Sequence, residues 1–224
     1  MQSFKEPDQL CEALWDTMRA IGKAAIERHS RFTLAISGEP IEVSKYVWKG
    51  LGSYENPSWK VFFADEKLTG DDTWINSGIA SSAPRGVQIY DLDKELCDSP
   101  TDLADQYMAD LRDVFASANT VRFPVFDLIV AGVGPHGQTC GLFPEHEILS
   151  ESVDWIAPVE DAPDNCTRIS FCLPLVNHAH HLIIIANRSD LDKFSKIKKT
   201  LPCHMLRPVH GEITWLILED TTDK

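Results

Sequence analysis

The chain has 224 residues, 43% hydrophobic and 25% charged, which is the composition of an ordinary soluble globular protein with enough apolar sequence for a sizeable core. Lysine and arginine total 21 against 34 acidic residues, so the formal charge of −13 disfavours nucleic acid and anionic lipid, and a bound anion needs a local cationic pocket. Six cysteines without a C-x-x-C pair fit reduced thiols in a cytoplasmic protein, and neither a membrane span nor a targeting signal is expected.

Along the chain, residues 7–28 place Leu10, Leu14, Met18, Ile21 and Ala25 at helical spacing, and FTLAIS at 32–37 reads as a short buried strand. Pro40 stands where a further helix opens over IEVSKYVWKGL, and WKVFFAD (59–65) is the next strand, ending in acidic residues. VQIYDL (87–92) is another. TDLADQYMADLRDVFA (101–116) is an amphipathic helix that starts at a Thr or Asp cap and leads to the strand FDLIVA at 126–131. APVEDAPDN (157–165) reads as a surface loop. RISFCLPL (168–175), HLIIIA (181–186) and EITWLIL (212–218) are strands, with a candidate helix around SDLDKFSKIKK. Helices interleaved with buried strands predict an α/β protein, one domain over residues 1–224, with a mostly parallel sheet covered on both faces.

The loop GVGPHGQTCGLFP, from Gly132 to Pro144, follows the apolar run FDLIVA directly. Such loops lie outside the carboxyl end of a buried strand, where α/β proteins place their ligands.

Five blocks in the order LAISGEP, WKVFFADEKLTGDD, FDLIVAGVGPHGQTCGLFPEH, RISFCLPLVNHAHHLIIIA and LPCHMLRPVHGEITWLILED resemble the 6-phosphogluconolactonase family, relatives of the glucosamine-6-phosphate isomerases. The third is the most specific, because G-x-G-P-x-G-x-T followed by L-F-P belongs to the lactonase branch. The resemblance implies a single Rossmann-like α/β domain that binds a phosphosugar lactone across the strand ends without a metal or other cofactor. It implies a phosphate held by cationic side chains and glycine-rich backbone, and a histidine that activates water for attack on the lactone carbonyl. By this resemblance Ser37, Gly38, Lys67, Gly134, Thr139, Arg168 and Arg188 or Lys193 fall on substrate-binding positions, and His136 and Gln138 on the catalytic loop.

The chain departs from the family pattern at several of these positions. Where the family reads G-P-D-G-H-T this chain reads Gly134-Pro135-His136-Gly137-Gln138-Thr139, so Gln138 takes the place of the catalytic histidine. A carboxamide positions water but accepts no proton at neutral pH. His136 either takes over, since residues two apart in an extended segment project to one side, or is a solvated loop histidine pointed elsewhere by Gly137. Lys67 replaces a phosphate-binding arginine, keeping charge but losing the planar fork. Glu39 brings a carboxylate into a turn where the family has glycine. After HLIIIA the register of the phosphate-binding cation is altered, and both Arg188 and Lys193 remain candidates.

These changes predict a degenerate site with weak or absent lactonase activity and a binding or interaction role, possible protein partners included. The alternative is a working lactonase of the oxidative pentose phosphate pathway, with His136 as base and Gln138 positioning water. Asn177-His178-Ala179-His180-His181 is read as polar packing rather than a metal site. Asp71, Asp72, Asp91 and Asp93 are read as loop and cap residues, and Cys140 as a packed residue without a base.

Overall fold

The computed structural model describes residues 1–38, 47, 58–69, 80–81, 83–115, 122–197 and 201–220. The helix expected over 41–51, apart from Val47, and the residues Glu39, Pro40, Asp71 and Asp72 lie outside the described residues.

Seven strands form a sheet in the order β1-β10-β9-β6-β2-β3-β5, every neighbouring pair parallel: β1 (Gln2–Phe4), β2 (Phe32–Ile36), β3 (Trp59–Phe63), β5 (Gln88–Tyr90), β6 (Leu128–Gly132), β9 (His181–Asn187) and β10 (Glu212–Leu218). The strands are apolar on both sides because both faces are covered. Leu34 and Ile36 of β2, Val61 and Phe63 of β3, Leu128 and Val130 of β6, and Ile183 and Ile185 of β9 face one core. The alternate residues Ala35, Phe62, Ile129, Ala131, Leu182, Ile184 and Ala186 face the other.

Helix α1 (Pro7–His29) closes the first face. Its buried stripe is Leu10, Cys11, Leu14, Met18, Gly22 and Ala25, Pro7 opens it, and Ser30 ends it in a left-handed turn whose N–H donates to the Ile26 carbonyl. Helix α2 (Pro100–Phe115) closes the second face through Leu103, Ala104, Tyr107, Met108, Leu111 and Val114. The Tyr107 hydroxyl accepts a hydrogen bond from the Phe63 N–H at 2.7 Å, tying α2 to the end of β3. No helix among the described residues is long and apolar enough to cross a membrane.

Beyond β3 the chain leaves the parallel sheet. β4 (Asp65–Lys67), β8 (Arg168–Phe171) and β7 (Ile156–Val159) make a small antiparallel sheet in the order β4-β8-β7. This corrects two readings of the sequence. The stretch from 157 begins as a strand rather than a loop, its Pro158 tolerated in a short strand at the sheet's edge. RISFCLPL supplies only four strand residues, outside the parallel sheet, before Pro174 opens the short helix α3 (Leu173–Val176). Two further short helices follow, α4 (Arg188–Phe194) and α5 (Pro202–Met205).

Candidate active site

After β2 the sheet grows through β3 to β5, and from β6 it grows the other way through β9 to β10. β2 and β6 therefore flank a topological switch, where crevices open beyond the strand ends. The loop that leaves β6 lines a cavity of about 310 Å³, bounded also by β4, β8 and the turn before β8. Its described lining includes Lys67, His136, Gln138, Thr139, Asp164 and Arg168, with Asp65, Pro135, Gly141, Phe143 and Pro163 completing it.

Hydrogen bonds within the backbone fold the loop tightly. The Gly137 N–H donates to the Gly134 carbonyl and the Gly134 N–H to the Gln138 carbonyl, both at 2.9 Å. Gly137 adopts φ +77°, so the segment is a turn, and the same-side argument for an extended strand does not apply at 136 and 138. The turn nevertheless leaves both residues on the cavity wall. The Gln138 carboxamide Oε1 accepts the His136 backbone N–H at 2.9 Å, and His136 itself is exposed. Cys203, in α5, donates its N–H to the Gly137 carbonyl at 3.1 Å and fastens the loop to the C-terminal region.

Gly141 is the tightest glycine of this loop. It sits at φ +73°, and a Cβ there would lie 2.9 Å from the Asp65 Cβ and 3.1 Å from the Ser170 Cβ. Thr139 and Leu142 pair across this bend through reciprocal backbone hydrogen bonds. Cys140 is buried, and burial, followed by the Asp65 charge, pushes its thiol pKa far up, which disfavours the nucleophilic thiolate.

The charged part of the cavity is set by strand register. Lys67 and Arg168 are cross-strand partners in the β4-β8 pair, which brings two cations side by side. Like charges in that arrangement repel. Asp164 lies between them, its two oxygens receiving Arg168 Nη1 at 2.8 Å and Nη2 at 2.7 Å, with Lys67 Nζ at 3.4 Å. Arg168 is 1% exposed, and its guanidinium stacks over the Phe143 ring at 4.8 Å. Hydrogen bonds from Arg168, and then the charges of Arg168 and Lys67, hold the Asp164 carboxyl well below the usual carboxylate range.

Five of the residues expected from the sequence therefore meet at one cavity: Lys67, His136, Gln138, Thr139 and Arg168. Gly134 shapes the turn beneath them. Ser37 and Gly38 are buried at the end of β2, where the Ser37 N–H donates to the Val130 carbonyl, and neither is among the described lining residues. The two alternative cations lie elsewhere. Arg188 makes a bidentate pair with Glu219 and also reaches Ser3, at the far side of β9, while Lys193 pairs with Asp190 at 3.2 Å.

The sequence reading did not assign Asp164, placed in a stretch taken for surface loop, or Phe143 to the site. An aspartate four residues before an arginine was the available signal, and it is a weak one. Of the other clusters, His178 donates its Nδ1–H to the Pro174 carbonyl at 2.7 Å and packs tilted against the Phe123 ring at 4.8 Å. Asp91 and Asp93 accept N–H bonds from the residues that follow them.

A parallel sheet covered on both faces, with a cavity of this size at its switch point, defines an α/β protein with the architecture of folds that hold small molecules beyond their strand ends. The family described as glucosamine-6-phosphate isomerases/6-phosphogluconolactonase matches residues 5–215, and the chain belongs to it. A Schizosaccharomyces pombe protein named "Probable 6-phosphogluconolactonase" is 37% identical over 199 residues, covering 82% of this chain and 77% of that one. The 6-phosphogluconolactonase-like protein 2 of Saccharomyces cerevisiae is 31% identical over 212 residues, which cover 85% of this chain and 66% of the yeast protein. The crystal structure of 6-phosphogluconolactonase from Leishmania guyanensis superposes with a TM-score of 0.80 over 100% of this chain and 99% of that one at 16% identity. That from Trypanosoma cruzi gives 0.81 at 17% identity, over 97% and 93%. At such identities the superpositions establish the fold.

Proposed function

We propose that this protein is a 6-phosphogluconolactonase-like protein, one domain over residues 1–224, whose pocket takes a phosphosugar lactone or related sugar phosphate but whose lactonase activity is weak or absent, leaving a binding or interaction role. The observation that carries this reading is Gln138: it occupies the cavity wall at the position the resemblance gives to the catalytic histidine, and its carboxamide is hydrogen-bonded to the His136 N–H at 2.9 Å. Hydrolysis requires water to lose a proton as its oxygen adds to the lactone carbonyl, while the ring oxygen leaves and is protonated. Gln138 cannot accept that proton, and a positioned base contributes about 10²–10⁴-fold. Six cysteines without a C-x-x-C pair support a cytoplasmic location.

The test is a coupled assay on freshly generated 6-phosphogluconolactone, with spontaneous opening subtracted. The expected result is a rate near background in the parent and a rate gained in Gln138→His. A parent rate well above background would refute the reading.

One observation favours the second reading, an active lactonase of the oxidative pentose phosphate pathway: His136 also lines the cavity. If it is the base, His136→Ala lowers the catalysed rate by about 10²-fold or more.

A further inference from the structure

The cavity holds an acidic side chain where its cations converge, and the fold presents that side chain deliberately. The Asn165 N–H donates to the Ala162 carbonyl at 2.8 Å, closing a turn in which Asn165 takes φ +56° and Ala162 is buried. Asp164 is the third residue of this turn, and its Oδ1 also accepts the Cys166 N–H at 3.3 Å. The carboxylate is thus fixed from its own backbone as well as by Arg168 and Lys67.

The arrangement has the form of an occupied anion subsite. Asp164 grips the Arg168 fork with both oxygens, as a bidentate oxyanion ligand would. Arg168 is buried and stacked on Phe143, so it cannot swing away to meet an incoming anion elsewhere. Lys67, held opposite Arg168 by strand register, reaches the same carboxylate. With Asp65 and Asp164 set against Lys67 and Arg168, the formal charges of the described lining cancel.

We propose that Asp164 is a resident counter-anion of this pocket, competing with the phosphate of a sugar phosphate for Arg168 and Lys67 and thereby lowering the site's affinity for phosphorylated ligands. This rests on the reading above only in taking the cavity to be the ligand site. A phosphate approaching these cations either displaces the carboxylate, which then swings to solvent from its partly exposed position, or meets its repulsion. Asp164 is a specificity residue and takes no part in proton transfer.

The test is calorimetric titration of the full chain with 6-phosphogluconate and, separately, with inorganic phosphate. Asp164→Asn keeps an oxygen for Arg168 while removing the charge. It is expected to bind both probes at least about tenfold tighter than the parent, the size of effect that removing one nearby negative charge produces in a partly buried site. Adding Lys67→Ala to that variant is expected to cancel the gain. Equal or weaker binding by Asp164→Asn, no binding by any form, or a gain that survives loss of Lys67 would each overturn the proposal. If Asp164→Asn folds poorly, Asp164→Ser is compared with the parent by the rise in melting temperature that saturating phosphate produces, with a larger rise expected in the variant. Binding is read without turnover, so an active parent enzyme would refute the reading of Gln138 and leave this result standing, and the converse also holds.

Discussion

The parallel sheet and the small antiparallel sheet beside it are held together by different means. The parallel sheet is insulated by apolar side chains on both faces, its central strands contributing to two extended hydrophobic clusters. Around the cavity the structure depends on a few particular features: the left-handed Gly137 and Gly141, the buried Arg168 and the Asp164 carboxylate that pairs with it. The first region distributes its stability over many similar contacts, whereas the second concentrates it in geometry and charge. Substitutions at Lys67 and Gln138 therefore alter the chemistry of the cavity while the sheet beneath it stays intact.

Four experiments sharpen or break this contrast. Phe62 stacks on Tyr90 at 4.3 Å between centroids and meets Phe126 edge-on at 5.5 Å, so Phe62→Ala is expected to cost about 3–5 kcal/mol in urea denaturation, the largest loss here. Gly141→Ala adds one methyl at φ +73° and 2.9 Å from the Asp65 Cβ; backbone strain and overpacking together predict about 2–4 kcal/mol. A loss under about 0.5 kcal/mol, the range of ordinary surface substitutions, would show the loop to be pliant and erase the distinction.

Asp164→Ala leaves the buried Arg168 without this partner and is expected to cost about 1–3 kcal/mol, Asp164→Asn less. The same pair predicts a pH effect. Because the folded-state pKa of Asp164 is depressed, its contribution is complete above the ordinary carboxylate value of about 3.9 and is lost as pH falls below that toward the depressed value. Melting temperatures should accordingly fall less steeply below that pH in Asp164→Asn than in the parent, by an amount trimmed by solvent screening of the partly exposed carboxylate. The smallest effect is expected for Arg188→Ala, which breaks the half-buried pair with Glu219 and leaves 6-phosphogluconate affinity within about twofold of the parent, since neither residue lines the cavity and charges remote from it are screened. A marked loss of affinity would return Arg188 to the site.

Much of the fold was legible in the sequence. EITWLIL at 212–218 and the helix from Pro7 match their expected spans because a run of β-branched, aromatic and aliphatic residues and a helical apolar stripe leave no competing period. The loop from Gly132 was placed correctly at a strand end. β7 and the separate character of β8 were not legible, since a four-residue strand is too short to carry a period of its own, and β7 also contains Pro158. Arg188 and Lys193 were left as equal candidates because linear distance from β9 says nothing about which side of the strand end a long side chain takes.

The amino-acid sequence by itself determined the α/β class, the two-faced burial of the central strands and the absence of a proton acceptor at residue 138, because these follow from local periodicity and side-chain chemistry. Only the tertiary structure decided that Lys67 and Arg168 stand opposite one another, and that Asp164, from a turn some hundred residues after Lys67, lies between them. Strand register fixes such meetings, and register is set by how remote segments pack rather than by anything written near either residue.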